Sequence, residues 1–332
     1  MNVTQRRIET QRHRTAWIEA GPGDGPLMIF LHGWPEIGLV WRAQMEHFSA
    51  LGWRCVAPDM RGYGESSRPD SISAYSVREL VADMVDLHDA LGGTPAVWVG
   101  HDWGSAVAWS MASHHAARCR GVVNLCVPYL SRGFALPNLM PLIDREVYPR
   151  HHFPVGQWDY WLFYRQHFTR ASREFEVDVI ATLTMLYRKA PARELGIPAF
   201  TANICLQGGW FGAAHRAPVT SQEKTLLSND DFDQLAAAFA KTGFAGANAW
   251  YMNDEANIAY AAEAPNFGRL SLPVLFIHAT NDTVCDTTRS RLAEPMREDC
   301  ENLSELTING GHGIMLEQPD KVNNAVSEWL AS

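Results

Sequence analysis

The first 129 residues alternate between apolar runs of strand length and segments with the spacing of amphipathic helices. Continuous apolar strands separated by helices are typical of a mostly parallel sheet covered on both faces. The pattern predicts helices at residues 39–51, 76–91 and 105–117. The predicted strands are residues 15–19, 27–32, 54–58, 96–100 and 121–127.

This alternation is lost between residues 130 and 255, where aromatic and helical segments mix with polar loops. Residues 218–221 and 228–231 offer capping side chains there and are predicted to begin helices. The alternation then resumes with strands at 273–282 and 303–311 and helices at 287–298 and 320–330. We therefore expect one α/β core, residues 1–129 and 259–332, interrupted by a mainly helical insertion at 130–258.

Composition and charge narrow the class of protein. The 332 residues are 46% hydrophobic, which is enough apolar material for a large core. The net charge of −9 without a basic cluster argues against a nucleic-acid-binding surface. The longest apolar runs are too short for a membrane span, and the first residues are too polar for a signal peptide. Six cysteines without metal-like spacing are expected to be reduced thiols of a cytoplasmic protein: Cys55, Cys119, Cys126, Cys205, Cys285 and Cys300.

The stretch GHDWG places Asp102 between two glycines, after an apolar strand and before a helix. This is the nucleophile-elbow pattern, in which glycines relieve a strained turn. A serine that attacked a saturated carbon would form an ether, whereas an aspartate forms an ester that water can cleave. Asp102 is therefore predicted to be a nucleophile for an alkyl electrophile. A helix N-cap is the alternative that this stretch alone leaves open.

The resumed core supplies an acid and a base in the chain order of this class. Asp282 follows one predicted strand and His312 follows the last one, so both belong to loops at the carboxyl ends of a parallel sheet. His312 is predicted to activate the water that attacks the ester, with Asp282 orienting its imidazole. Asp286 is an alternative acid.

The stretch HGWPE, residues 32–36, follows an earlier strand and contains a glycine that lets backbone N–H groups converge. We expect the backbone N–H groups of Trp34 and Trp103 to form an oxyanion hole. The alternative is an ordinary turn built on glycine and proline.

Taken together, these stretches resemble the α/β-hydrolase fold and, within it, most closely the soluble epoxide hydrolases. The resemblance covers the core nearly from end to end and places the family's cap domain at the insertion. It implies two cap tyrosines that donate hydrogen bonds to the epoxide oxygen, namely Tyr160 and Tyr251, with Tyr164 as the alternative to Tyr160. The motifs that carry it are HGWPE, DMRGYGESS, GHDWG, ATND, NGGH, WDYWLFY and TGFAGANAWYMND.

The resemblance also implies supporting roles around the nucleophile, with Glu36 and His101 helping to hold the hydrolytic water. Many relatives have tryptophan after the base, whereas Gly313 stands here, so the pocket near the base is expected to differ. The other residues expected to support the site are His32, Gly33 and Pro35.

The predicted function is therefore hydrolysis of a small apolar epoxide to a vicinal diol, without a cofactor or metal, by a monomer or homodimer. A haloalkane dehalogenase shares the aspartate elbow and the base but releases a halide, which needs N–H donors and no proton. Paired tyrosines favour the epoxide. A hydrolase-fold protein that only binds ligands is the third interpretation, and it would not need the nucleophile, acid and base together.

Overall fold

The computed structural model describes residues 3–192, 194 and 196–332, and its centre is one eight-stranded sheet. The strands lie side by side in the order β1-β2-β4-β3-β5-β6-β7-β8. The eight strands are β1 (Thr4–Glu9), β2 (Arg14–Ala20), β3 (Leu27–Leu31), β4 (Arg54–Pro58), β5 (Ala96–His101), β6 (Cys119–Leu125), β7 (Val274–Ala279) and β8 (Leu303–Ile308).

Six of these strands, from β4 to β8 across the sheet, pair in parallel. Strand β2 pairs antiparallel with both of its neighbours, β1 and β4. Strands β3, β5 and β7 are buried along their whole length, which explains why they appear as continuous apolar runs. All seven predicted strands are confirmed within two or three residues at each end. Strand β1 was not predicted, because TQRRIE is an exposed edge strand with a single apolar residue.

Helices cover both faces of the sheet and also form the segment between β6 and β7 that interrupts the α/β pattern. The α-helices are α1 (Arg42–Ala50), α2 (Val77–Ala90), α3 (Trp103–His114), α4 (Leu136–Leu139), α5 (Asp159–Glu176), α6 (Val179–Leu186), α7 (Ile204–Gln207), α8 (Asn229–Thr242), α9 (Ala245–Ala249), α10 (Asp254–Ala261), α11 (Glu294–Asp299), α12 (Ile314–Glu317) and α13 (Pro319–Ala331). Short 3-10 helices add Gly38–Trp41, Ile72–Tyr75, Ala116–Arg118, Met140–Leu142, Gly156–Trp158, Phe200–Asn203, Gly212–Ala214, Trp250–Met252 and Pro265–Gly268.

Two predicted helices are wrong in part or whole. The segment 287–298 contains only the short helix α11, which begins at Glu294; the residues before it form turns in which the Asp286 carboxylate accepts from the Arg289 N–H. Residues 218–221 form no helix. The other predicted start is confirmed, because the Ser228 hydroxyl caps α8 by accepting from the Asp231 N–H.

The helical interruption is a topological insertion. Strands β6 and β7 are hydrogen-bonded neighbours, while α4 to α10 lie between them in the chain. None of the described residues between these two strands forms a further strand of the sheet, and Leu270 makes only an isolated bridge to Cys300. We refer to residues 130–258 as the cap segment; that these residues form a separate domain with these limits stays a prediction.

The sheet places the candidate site at one edge. The residues that follow β3, β5, β7 and β8 include His32, Asp102, Asp282 and His312, and the carboxyl ends of these parallel strands meet at the same edge. The six cysteines are free thiols, of which Cys119 and Cys205 are only half-buried. Among the described helices, none has the length and apolar character needed to cross a membrane.

Candidate active site

Asp102 occupies a strained turn between β5 and α3, with φ of 49° and ψ of −126°. A side chain at either flanking glycine would collide with backbone: a Cβ on Gly104 would lie 2.1 Å from the Leu31 carbonyl oxygen, and one on Gly100 would lie 2.7 Å from the Ser105 Cα. Asp102 occupies the N-cap position of α3, but its carboxylate makes no capping hydrogen bond to that helix, so it does not act as a helix cap. The carboxylate instead contacts His312 and the Trp34 N–H.

The predicted base contacts Asp102, and the predicted acid contacts the base on its other side. His312 Nε2 lies 3.3 Å from Asp102 Oδ2, and His312 Nδ1 lies 2.7 Å from Asp282 Oδ2. Asp282 Oδ1 accepts from the backbone N–H groups of Val284 and Cys285, at 2.8 and 2.9 Å, so its carboxylate is held in place on both sides. The structure thus brings Asp282, and not the alternative Asp286, against the imidazole.

The three groups shift one another's pKa values. Burial alone would raise the pKa values of Asp102 and Asp282, but hydrogen bonds and charge interaction with His312 outweigh burial and lower both. Burial alone would lower the pKa of His312, but the two carboxylates outweigh it and hold that pKa well above its ordinary value. At neutral pH the ligand-free site therefore contains an imidazolium between two carboxylates.

Residues 32–36, which we call the oxyanion loop, lie against the other carboxylate oxygen of Asp102. The Trp34 N–H donates to Asp102 Oδ1 at 2.7 Å. The second expected donor, the N–H of Trp103, begins α3 directly after Asp102, and its role stays a prediction. The two carboxylate oxygens are therefore differentiated, because Oδ1 faces the backbone donor and Oδ2 faces His312.

Glu36 and His101 form a buried pair that connects this loop to the base. Glu36 accepts from the Gly33 N–H at 2.7 Å and contacts His101 Nδ1 at 3.1 Å. His101 Nε2 lies 2.7 Å from the His312 carbonyl oxygen. Burial lowers the pKa of His101, but the Glu36 carboxylate outweighs it and raises that pKa to about 10. A charged His101 donates both of its N–H groups, so it holds the backbone of the base in position.

The remaining supporting residues shape the turn itself. His32 Nε2 accepts from the Met60 N–H at 2.9 Å, which leaves Nδ1 to donate to the Gly33 carbonyl oxygen at 3.0 Å. Burial lowers the pKa of His32 and keeps it neutral. Pro35 follows Trp34 through a cis peptide bond, and its carbonyl oxygen faces the cap segment.

A cavity of about 240 Å³ lies over these groups. Tyr160 and Tyr251 both line it, with ring centroids 5.6 Å apart, whereas Tyr164 packs behind them and does not line it. Gly313 also lines it, and a Cβ at this position would meet nothing within 4 Å, so the pocket beside the base is open. Further lining residues are Trp34, Glu36, Asp102, Leu186, Tyr187, Phe200, Trp210, Leu226, Asp282, Val284, His312 and Leu316.

The two cavity tyrosines are available as hydrogen-bond donors. Burial, with the charge of Asp102 adding to it, raises the pKa values of Tyr160 and Tyr251 well above that of a free phenol, so both stay protonated. Within the described part of the chain, neither hydroxyl group takes part in a hydrogen bond to protein. Both can therefore turn toward a ligand oxygen.

One group of described side chains has the ligand atoms and proximity to hold a metal ion, namely His101, Cys126 and His312, whose atoms lie within 4.8 Å of one another. His101 Nε2 and Cys126 Sγ both contact the His312 carbonyl oxygen, at 2.7 and 3.2 Å. These atoms are thus already engaged in hydrogen bonds, and the expectation of a metal-free site stays a prediction.

Sequence reasoning missed two cap residues that contact the oxyanion loop. Asn248 accepts from the Trp34 indole N–H at 3.0 Å, and the Tyr187 hydroxyl donates to the Pro35 carbonyl oxygen at 2.8 Å. Asn248 lies three residues before Tyr251, inside a stretch already identified for that tyrosine. No local pattern around Tyr187 points to this contact.

Known proteins resemble this chain over nearly all of its length. The alpha/beta hydrolase fold family matches residues 26–319. Epoxide hydrolase A of Mycobacterium tuberculosis is 34% identical over 329 residues, which are 98% of this chain and 97% of that protein. Bifunctional epoxide hydrolase 2 of Sus scrofa is 31% identical over 309 residues, 93% of this chain but 52% of that protein, so the chain spans about half of its length.

A solved structure agrees with these relatives. The crystal structure of epoxide hydrolase A from Mycobacterium thermoresistibile superposes with a TM-score of 0.82 at 27% identity, and the match covers 100% of this chain and 99% of that one. The chain therefore belongs to the alpha/beta hydrolase fold family and, within it, to the epoxide hydrolases.

Proposed function

We propose that this protein hydrolyses an apolar epoxide to a vicinal diol through an ester on Asp102, and that residues 130–258 are the cap that covers the reacting groups. The observation that carries the proposal is that a single cavity is lined by a carboxylate paired with His312 and by two unbonded phenols, Tyr160 and Tyr251. The names of the most similar relatives support the same reaction.

In the first step, Asp102 Oδ2 attacks a ring carbon of the epoxide, since Oδ1 is held by the Trp34 N–H at 2.7 Å whereas His312 lies 3.3 Å from Oδ2. The carbon–oxygen bond of the ring breaks, and its electron pair goes to the ring oxygen. Tyr160 and Tyr251 donate to that oxygen and supply its proton, because an alkoxide is far more basic than a phenol with a pKa near 10. The product is an ester of Asp102 with a neighbouring hydroxyl group.

Formation of the ester changes the state of His312. The imidazolium loses the charge of one of its two carboxylate partners, so its pKa falls. We infer that His312 gives up its proton at this stage, which restores the proton taken by the ring oxygen from the tyrosines. The site thereby converts its imidazolium into a neutral base after ring opening, when a base is needed.

In the second step, His312 takes a proton from water as that water attacks Cγ of the ester. The negative charge develops on Oδ1 and is stabilised by the Trp34 N–H, with the Trp103 N–H as the second donor. The tetrahedral intermediate then collapses and the bond between Cγ and Oδ2 breaks. His312 returns its proton to the departing alkoxide, which leaves as the diol. The acid proton that remains on Asp102 then passes to His312, which restores the imidazolium and leaves the water oxygen in the Asp102 carboxylate.

The bonding of Trp34 removes one of the indole donors that a haloalkane dehalogenase would use. A departing halide needs N–H donors, but the Trp34 indole N–H is already donated to Asn248. The cavity instead offers two phenol hydroxyl donors, those of Tyr160 and Tyr251.

The test is a panel of epoxides and haloalkanes with diol and halide release measured together. We expect diol from aryl- or alkyl-substituted epoxides and no halide. A single turnover in ¹⁸O-water should place the label in Asp102 and leave the first diol unlabelled. Halide release without diol would establish the dehalogenase. Stoichiometric binding of epoxides without diol would establish a ligand-binding protein, and label in the first diol would refute the ester.

A further inference from the structure

The oxyanion loop is held from the cap segment by two buried hydrogen bonds, which we call the loop anchors. The first is the 2.8 Å bond from the Tyr187 hydroxyl to the Pro35 carbonyl oxygen. The second is the 3.0 Å bond from the Trp34 indole N–H to Asn248 Oδ1. Tyr187 is 8% exposed and Asn248 is fully buried, so water cannot replace either partner without cost.

The same short stretch is held from the core at its backbone. The Trp34 N–H donates to Asp102 Oδ1 at 2.7 Å, and the Gly33 N–H donates to Glu36. Trp34 is packed further between the rings of Phe175 and Trp210, at centroid distances of 5.5 and 5.6 Å. The peptide that carries the Trp34 N–H is therefore fixed jointly by core and cap.

We propose that Tyr187 and Asn248 are positioning residues for ester hydrolysis, acting through the Trp34 N–H; this rests on the proposed function. A hydrogen bond weakens steeply as its distance and angle depart from the optimum. A donor aimed at a developing oxyanion acts only if it is already in place when the charge forms. The loop anchors provide that placement from residues that make no hydrogen bond to Asp102, although Tyr187 also lines the cavity.

The two chemical steps respond to the Trp34 N–H in opposite ways. During ring opening, negative charge leaves Asp102 for the epoxide oxygen, so a donor on Oδ1 stabilises the starting carboxylate more than the transition state. During hydrolysis, negative charge develops on Oδ1, so the donor stabilises the transition state more than the ester. Weakening the anchors should therefore slow hydrolysis and leave ring opening unchanged or slightly faster. General loosening of the fold would slow both steps.

The experiment compares single turnovers of styrene oxide by the wild-type protein and Tyr187→Phe, with ester followed by intact mass and diol by chromatography. We expect hydrolysis to slow about three- to tenfold, the effect that loss of one neutral hydrogen bond can transmit. Ester formation should stay within about twofold of wild type or exceed it. Asn248→Ala should slow hydrolysis in the same way, with its folding checked by thermal melting.

Tyr129→Phe is the matched control. It removes an equally buried tyrosine bond to a backbone carbonyl, from Tyr129 to the Gly268 oxygen at 2.6 Å, outside the cavity. We expect its ester formation and hydrolysis rates to match wild type.

The outcomes separate the two proposals. A parallel fall of both rates in Tyr187→Phe, no change in either rate, or the same asymmetry in Tyr129→Phe would overturn the positioning role. A wild-type protein that forms neither ester nor diol would overturn the proposed function, and the positioning role with it.

Discussion

Replacement of His312 by glutamine tests most directly whether ring opening and ester hydrolysis use different side chains. Ring opening uses Asp102 and the two tyrosines, whereas ester hydrolysis uses the imidazole to deprotonate water. His312→Gln should therefore allow the ester to form and prevent its efficient cleavage. The variant should accumulate a covalent adduct whose added mass equals that of the epoxide supplied, located on Asp102 by peptide mapping.

The size of the effect follows from the contacts of the imidazole. Loss of a positioned general base costs about 10²- to 10⁴-fold in rate, which corresponds to about 3–5 kcal/mol in the barrier to hydrolysis.

Removing one partner of a buried ion pair can cost about 3–5 kcal/mol of stability. Here the loss should be smaller, because Asp282 keeps its two backbone donors and a glutamine amide can replace the Nδ1–H. The variant should remain folded.

The assay is rapid quench followed by intact mass, with diol measured in the same samples. His47→Gln is the matched control, since His47 of α1 hydrogen-bonds Ser327 of α13 and neither residue lines the cavity. Diol production by His312→Gln at the wild-type rate would refute the role of the base. A folded variant that forms neither adduct nor diol would show that the imidazole is needed already for ring opening.

Three further predictions concern other groups of the site. Asp102→Asn should form neither ester nor diol, and a histidine NMR titration should show a lower pKa for His312, because one of its two carboxylate partners is gone. Tyr160→Phe and Tyr251→Phe should each slow ring opening by about 10- to 100-fold, the effect of one hydrogen bond to a charged oxygen. In the same single-turnover assay, the rate of Tyr164→Phe should stay within about twofold of wild type. Equal losses of rate for all three variants would contradict the assignment of the two tyrosines. The stability of the folded protein should depend on His101, whose pKa is about 10 when folded against an ordinary value of 6.5. Between these pH values the folded protein keeps a proton that the unfolded chain loses, so this stabilisation is complete below pH 6.5 and is lost as pH rises toward 10, at up to about 1.4 kcal/mol per pH unit. Denaturant titrations should show this slope in the wild type and a flatter one in Glu36→Gln.

The parts of the fold that the sequence predicts are those whose pattern depends on near neighbours. Strands such as β3 and β5 are buried on both faces, so every residue must be apolar and the run is visible in the chain. The exposed strand β1 carries no such signal, because its pairing with β2 supplies backbone hydrogen bonds and little burial. The segment 287–298 has a helical pattern, but its first residues form turns instead. There the Asp286 carboxylate accepts from the Arg289 N–H, and the Asp286 carbonyl oxygen accepts from the Ser290 hydroxyl.

The candidate site likewise has some features that the sequence predicts and others that only the structure shows. The two glycines that flank Asp102 are a local sequence feature, and the order of Asp102, Asp282 and His312 can be read from the sequence. The glycines and this order together predict a class of chemistry. The choice of Asp282 over Asp286 needs the 2.7 Å contact with His312, and the choice of Tyr160 over Tyr164 needs the position of the cavity. Both alternatives satisfy the same local pattern.

By itself, therefore, the sequence determined the fold class, the glycine-flanked turn at Asp102 and the chain order of the candidate catalytic groups, since these depend on periodicity and on turn geometry over a few residues. Only the tertiary structure brought Asp102 and His312, 210 positions apart in the chain, to 3.3 Å, and set Tyr187 and Asn248 of the cap segment against the oxyanion loop. Such contacts are decided by how the cap segment packs on the sheet. Packing is a property of the whole folded chain, and no short stretch encodes it.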